Sequence, residues 1–158
     1  MDELNLNLNR YNVLVVDDVP LNRMLVTKML GRFNFKVREA ENGLEALREF
    51  FAQKPDLVFL DILMPLMDGF EVLKEVRKTE EWNDVKIVIL SALNSNEDIV
   101  KAYNMGANDF ITKPIMMDKL LNTVAQQLGI QLPRKPTPSR FPRNKIGPKM
   151  RSRTRFTN

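Results

Sequence analysis

Residues 57–61 read Leu57-Val58-Phe59-Leu60-Asp61, four large apolar side chains in a row closed by a single acid. A strand with one wet face alternates apolar and polar residues. A run with no alternation fits a strand covered on both faces, as in a parallel sheet lying between helices. The same pattern stands at Val13-Leu14-Val15-Val16, closed by Asp17-Asp18, and at Ile87-Val88-Ile89-Leu90, closed by Ser91. Working outward from these runs, the spacing predicts five strands: Asn12–Val16, Phe35–Ala40, Asp56–Leu60, Lys86–Leu90 and Asn108–Thr112. Helical periodicity fills the gaps. Val26, Met29, Leu30 and Phe33 share one helical face, and Met117, Leu120, Leu121, Val124 and Leu128 repeat the pattern up to Gly129. Strands alternating with helices of this length give an α/β domain: a doubly wound, five-stranded parallel sheet with helices on both faces.

The rest of the chain has a different character. Residues 1–132 carry 15 basic and 20 acidic side chains, whereas residues 133–158 carry 9 basic and no acidic ones, together with five of the nine prolines. A like-charged, Pro-rich stretch with few apolar residues does not offset the entropy of ordering it. The expectation is an acidic folded body and a basic tail, 130–158, that is disordered. The tail has the composition of a solvated extension, of an electrostatic arm for nucleic acid or an acidic protein, or of a membrane-surface anchor. No apolar run approaches a membrane span, and the start of the chain does not read as a secretory signal, so a cytoplasmic location is expected.

Among the 158 residues there is no cysteine and no histidine. That excludes disulfides, thiolate zinc sites, Ser-His-Asp triads and His-based metal centres. Chemistry must come from carboxylates, hydroxyls and amines. In a doubly wound sheet, ligands bind at the carboxyl ends of the strands. Those ends hold Asp17 and Asp18, Asp61, Ser91 and Lys113. Each has an ordinary reading on its own: Asp17 or Asp18 as a helix cap beside Pro20, Asp61 as a turn residue, Ser91 as a loop hydroxyl, Lys113 as a surface cation. Brought to one rim, three carboxylates repel one another and resist ionising. A divalent cation relieves that repulsion, and an all-oxygen donor set suits Mg²⁺.

Taken in order, five motifs resemble those of response-regulator receiver domains of two-component signalling. They are the Asp17-Asp18 pair, Asp61 ahead of Met64-Pro65 and Asp68-Gly69, Ser91-Ala92, Gly106-Ala107 with Phe110, and Lys113-Pro114. The resemblance spans residues 11–129 and implies the flavodoxin-like strand order 2-1-3-4-5. It also implies that Asp61 is the phosphoacceptor, supplied by a histidine kinase or histidine phosphotransfer protein. Mg²⁺ would be held by Asp18, Asp61 and the backbone carbonyl of Leu63, with Asp17 acting through water. Ser91 and Lys113 would bind the phosphoryl oxygens, and Ser91 and Phe110 would form the switch. The Lys113–Pro114 bond would be cis, and an output protein would read the face formed by the fourth helix, fifth strand and fifth helix.

Departures from the family pattern sharpen these expectations. Leu63 and Leu93, two residues beyond Asp61 and Ser91, offer no polar group to orient attacking water, so loss of phosphate should be slow. Phe110 has no hydroxyl, so its inward state would gain packing only. No output domain follows residue 129, and the last helix lacks the charged pattern of receivers that pair to drive winged-helix domains. A single-domain receiver, monomeric or weakly dimeric, is therefore expected. It would not be an enzyme beyond its own phosphorylation and dephosphorylation. The rival is a phosphohydrolase with an Asp nucleophile. Haloacid-dehalogenase-type enzymes place Asp-x-Asp after the first strand, whereas these acids are adjacent.

Overall fold

The computed structural model describes residues 8–132. The tail expectation therefore lies outside the described residues from position 133 onward. After a single 3-10 turn at Leu8–Arg10, strands and helices alternate: β1 (Asn12–Val16), α1 (Pro20–Gly31), β2 (Lys36–Ala40), α2 (Gly43–Ala52), β3 (Leu57–Leu60), α3 (Gly69–Lys78), β4 (Lys86–Ser91), α4 (Asn96–Asn104), β5 (Asp109–Thr112) and α5 (Met117–Leu128). A second 3-10 turn, Glu80–Trp82, leads from α3 to β4. The sheet is parallel throughout, in the order β2-β1-β3-β4-β5. From β1 the chain runs outward to β2, then returns across β1 to place β3 on its other side. This reversal is the topological switch point where such sheets open a crevice.

The apolar runs decide the packing. Every residue of β1 and β3 is buried, as are Ile87 to Ser91 of β4. Each fully buried Leu, Ile or Phe contributes roughly 1.5–3 kcal/mol over its exposed state. Edge strand β2 differs: only Ala40 is buried. Its Arg38 donates to Asn12 Oδ1 (2.9 Å), to the Glu49 carbonyl and carboxylate (3.0 and 2.7 Å) and to the Gln53 carbonyl (2.6 Å). Below the sheet, Trp82 is buried with its ring centroid 5.0 Å from those of both Phe50 and Phe51.

The sequence spacing starts strands at Phe35, Asp56 and Asn108, but the ladders begin one residue later, at Lys36, Leu57 and Asp109. Two of these residues use their side chains to close backbone bonds instead. Asp56 Oδ2 accepts from the Asn12 amide (2.8 Å), and Asn108 Oδ1 accepts from the Ile87 amide (2.7 Å). At its other end, β4 runs one residue beyond expectation, pairing Ser91 with Thr112.

Helix ends follow local chemistry. Asn42 caps α2 and Ser95 caps α4, while Asp68 and Glu71 form a reciprocal capping box at the start of α3. Gly129 ends α5 in the left-handed conformation, φ 66°. Among the described residues no helix is long and apolar enough to cross a membrane.

Candidate functional site

Register places the acids. Val16 pairs with Leu60 across β1 and β3, so Asp17 and Asp61 leave adjacent strands side by side, and the Asp61 amide donates to the Val16 carbonyl (2.9 Å). Both side chains are almost wholly buried, with Asp17 4% and Asp61 5% exposed. Asp18 lies half-buried beside them, and carboxylate oxygens of all three come within 4.8 Å of one another. Lys113 arrives from the end of β5, where its amide donates to the Ser91 carbonyl (2.9 Å). Its ammonium donates to Asp17 Oδ2 (2.8 Å) and Asp61 Oδ2 (3.3 Å). The Lys113–Pro114 bond is cis.

The remaining oxygens are held by backbone. Asp17 Oδ1 accepts from the Val19 amide (2.9 Å) and Asp61 Oδ1 from the Ile62 amide (2.7 Å). Val19, rather than either acid, is the cap residue of α1. Asp17 thus serves the turn into that helix with one oxygen and the pocket with the other. Burial pushes the Asp61 carboxyl above its ordinary value; Lys113 pulls it down, and the neighbouring Asp17 charge adds to the rise. Burial works to lower the Lys113 ammonium, but its bonds and charges with Asp17 and Asp61 outweigh that, and its net direction is upward. Three clustered oxygen donors, one of which resists ionising, form the environment a hard divalent cation relieves, so the donor set fits Mg²⁺.

Ser91 is fully buried at the end of β4, and its hydroxyl accepts from the Leu93 amide (3.2 Å). Its hydroxyl makes no hydrogen bond to the three acids among the described residues. Phe110, on β5 opposite Ile89, is half-buried and packs against the core, as does Leu93. Leu63 stands in the β3–α3 loop with 54% of its surface exposed. The structure therefore gathers Asp17, Asp18, Asp61 and Lys113 into one pocket, with Ser91 and Phe110 on the adjoining strands.

Supporting residues complete the site, and two of them, Arg23 and Leu66, escape the sequence reading. Arg23 donates to the Asp17 carbonyl (2.7 Å) and to Glu39 (3.0 Å), bracing the backbone that carries the acids. Gly69 lets α3 start against the end of β3: a Cβ there would lie 2.4 Å from the Asp61 carbonyl oxygen and 2.7 Å from Ile62 Cα. Between Pro65 and Met67 the chain makes a three-residue turn, with the Met67 amide donating to the Pro65 carbonyl (2.8 Å) and Leu66 at φ 71°. For a leucine this is a strained conformation. The glycine within the Asp68-Gly69 pair was a readable signal, while Arg23 and Leu66 offered none.

Comparison with known proteins agrees with this geometry. The model of the response regulator receiver domain matches residues 13–125. The chain is 36% identical over 120 residues to the chemotaxis protein CheY of Bacillus subtilis, covering 75% of this chain and 98% of that one. It is 38% identical over 125 residues to hybrid signal transduction histidine kinase E of Dictyostelium discoideum, covering 77% of this chain and 7% of that protein. Among solved structures, Vibrio cholerae chemotaxis protein CheY4 aligns with a TM-score of 0.70 at 31% identity, over 73% of this chain and 97% of that one.

Proposed function

The chain belongs to the response regulator receiver family, and from that premise we propose that Asp61 accepts a phosphoryl group from a histidine kinase or histidine phosphotransfer protein. The protein then works as a phosphorylation-controlled binding module. The observation that carries this reading is the buried Asp61 carboxylate, with Lys113 at 3.3 Å and two more acids alongside.

The chemistry follows from the residue types. A carboxylate oxygen of Asp61 attacks phosphorus, and the bond from phosphorus to the donor's imidazole nitrogen breaks. The electron pair leaves with that nitrogen, and the product is an acyl phosphate. Lys113 faces the charge added on the phosphoryl oxygens, and Ser91 supplies a hydroxyl to one of them. Asp18, Asp61 and the Leu63 carbonyl would hold Mg²⁺, with Asp17 acting through water; when bound, the ion neutralises phosphoryl charge. The turnover is limited to the protein's own phosphoryl group, so it is not an enzyme acting on other substrates.

The output reading rests on Ser91 and Phe110. Drawing the Ser91 hydroxyl toward a phosphoryl oxygen breaks its bond to the Leu93 amide and opens space for Phe110 to move inward. The face of α4, β5 and α5 changes shape, and an output protein binds it. The cytoplasm is the compartment this role calls for, and a monomer or weak dimer suffices for it. Incubation with acetyl phosphate and Mg²⁺, followed by intact mass, tests the proposal. One added phosphoryl group, absent in Asp61→Asn, is expected; no adduct on the wild type sinks it.

A further inference from the structure

The last turn of α3 carries a half-buried arginine that hydrogen-bonds no carboxylate among the described residues. Arg77 Nε donates to the Gly106 carbonyl (3.0 Å), and Nη1 to the carbonyls of Trp82 (3.1 Å) and Asn83 (3.3 Å). Nη2 donates to the Val85 carbonyl (2.9 Å) and to Asn108 Oδ1 (3.0 Å). Asn108 in turn joins β5 to β4: its Oδ1 accepts from the Ile87 amide (2.7 Å), and its amide donates to the Ile87 carbonyl (2.7 Å). The turn after α3, the base of β4 and the α4–β5 loop thus meet at one cation. Gly106 is shaped to admit it. That residue has φ 110°, and a Cβ there would lie 2.7 Å from Arg77 Cγ and 2.9 Å from its Nε.

Helix α4 is attached unequally. Only Ala102 is buried along its length. Near its C-terminal end the Lys101 ammonium sits 4.2 Å from the Phe70 ring centroid, and the chain then passes directly into Gly106. Its N-terminal end begins at Asn96, a few residues beyond Ser91, and is capped by Ser95 within its own first turn. One end is tied to the body, and the other lies a short way along the chain from Ser91.

We propose that Arg77 is the pivot of α4, a positioning residue that fixes the C-terminal end of the helix and the start of β5. A displacement begun at Ser91 then swings the helix about Gly106 instead of sliding it whole. This rests on the reading of Asp61 as phosphoacceptor. The planar fork of an arginine reaches acceptors on three segments at once; the single nitrogen of a lysine does not, so Arg77→Lys keeps the charge and loses the pivot.

The test uses the full chain with Mg²⁺ and beryllofluoride as a stable phosphoryl mimic. Occupancy of Asp61 is read by ¹⁹F NMR, and amide hydrogen exchange is followed across residues 92–112. In the wild type the beryllofluoride-dependent change should concentrate at 96–99 and leave 103–108 still. In Arg77→Lys, with the mimic still bound, the change at 96–99 should shrink about threefold or more, and a new one should appear at 103–108. If exchange at 103–108 instead rises by the same factor with and without the mimic, and the change at 96–99 persists, Arg77 is merely structural and the pivot is refuted. Loss of mimic binding in Arg77→Lys alone also refutes it. Failure of the wild type to bind overturns the acceptor reading and this inference together. Should Arg77→Lys not fold, Asn108→Ala removes one acceptor and should give a smaller change of the same sign.

Discussion

Lys113 is bound more closely to Asp17, at 2.8 Å from Nζ to Oδ2, than to Asp61, at 3.3 Å. The cation therefore rests between the proposed phosphoacceptor and a second buried carboxylate. On the proposed reading of Asp61, the charge that is to meet the phosphoryl oxygens is already in place, held by both carboxylates.

Removing that cation should hurt twice. Lys113→Ala leaves two buried carboxylates facing each other. Breaking a fully buried pair costs about 3–5 kcal/mol, and the 17% exposure of the Lys113 side chain reduces the expected loss to about 1–3 kcal/mol. The rate of adduct formation with acetyl phosphate should fall on the order of a hundredfold. Urea unfolding followed by circular dichroism checks the first, and a mass-spectrometric time course the second.

Asp61 should make the metal-free protein less stable as pH rises. Its folded carboxyl is raised above 3.8, so the folded state holds this proton more tightly than the unfolded state does. Stability from this group is greatest below the unfolded value and is lost as pH climbs through the folded one. Asp61→Asn should therefore raise the urea midpoint at neutral pH without Mg²⁺, and should flatten the pH dependence just above 3.8. Added Mg²⁺ should stabilise the wild type more than this variant. An unchanged or lower midpoint for Asp61→Asn would contradict the electrostatic account.

The phosphoryl group should leave slowly. Leu63 is exposed and apolar, and Leu93 packs on the core, so neither orients water toward the acyl phosphate. Leu63→Asn should shorten the adduct lifetime on the order of tenfold by offering a polar group to that water. A wild-type half-life of seconds with Mg²⁺ present would count against this.

Gly69→Ala should damage the acceptor without touching any charge. The added methyl group meets the Asp61 carbonyl at 2.4 Å, and overpacking of this kind costs about 1–3 kcal/mol. A lower thermal midpoint is expected, together with a reduced yield of adduct. Wild-type values for both would show that the close approach of α3 is not needed.

The central strands were readable because burial on both faces leaves a mark that one residue cannot imitate. Leu57 to Leu60 and Val13 to Val16 allow no wet side, and the acid that ends each run then has one place to stand. Edge strand β2 reads less clearly, since Lys36, Arg38 and Glu39 interrupt it. The web around Arg77 was hidden for a different reason. Four of its acceptors are backbone carbonyls, which every residue carries, so no side-chain pattern announces them. Leu66 was hidden because its positive φ is imposed by the turn around it, not by any preference of leucine. The sharing of Lys113 with Asp17 depends on strand register, which spacing along the chain does not reveal.

The chain has a single tryptophan, and its position makes it an optical reporter already installed. Trp82 packs at steep ring angles against Phe50 and Phe51, and its carbonyl accepts from Arg77. Its emission therefore reports on the anchored base of the sheet, while the acidic pocket lies at the opposite ends of the strands. A fluorescence change on phosphorylation would be a signal carried through the fold, and an unchanged spectrum would show that the base stays still while the rim moves.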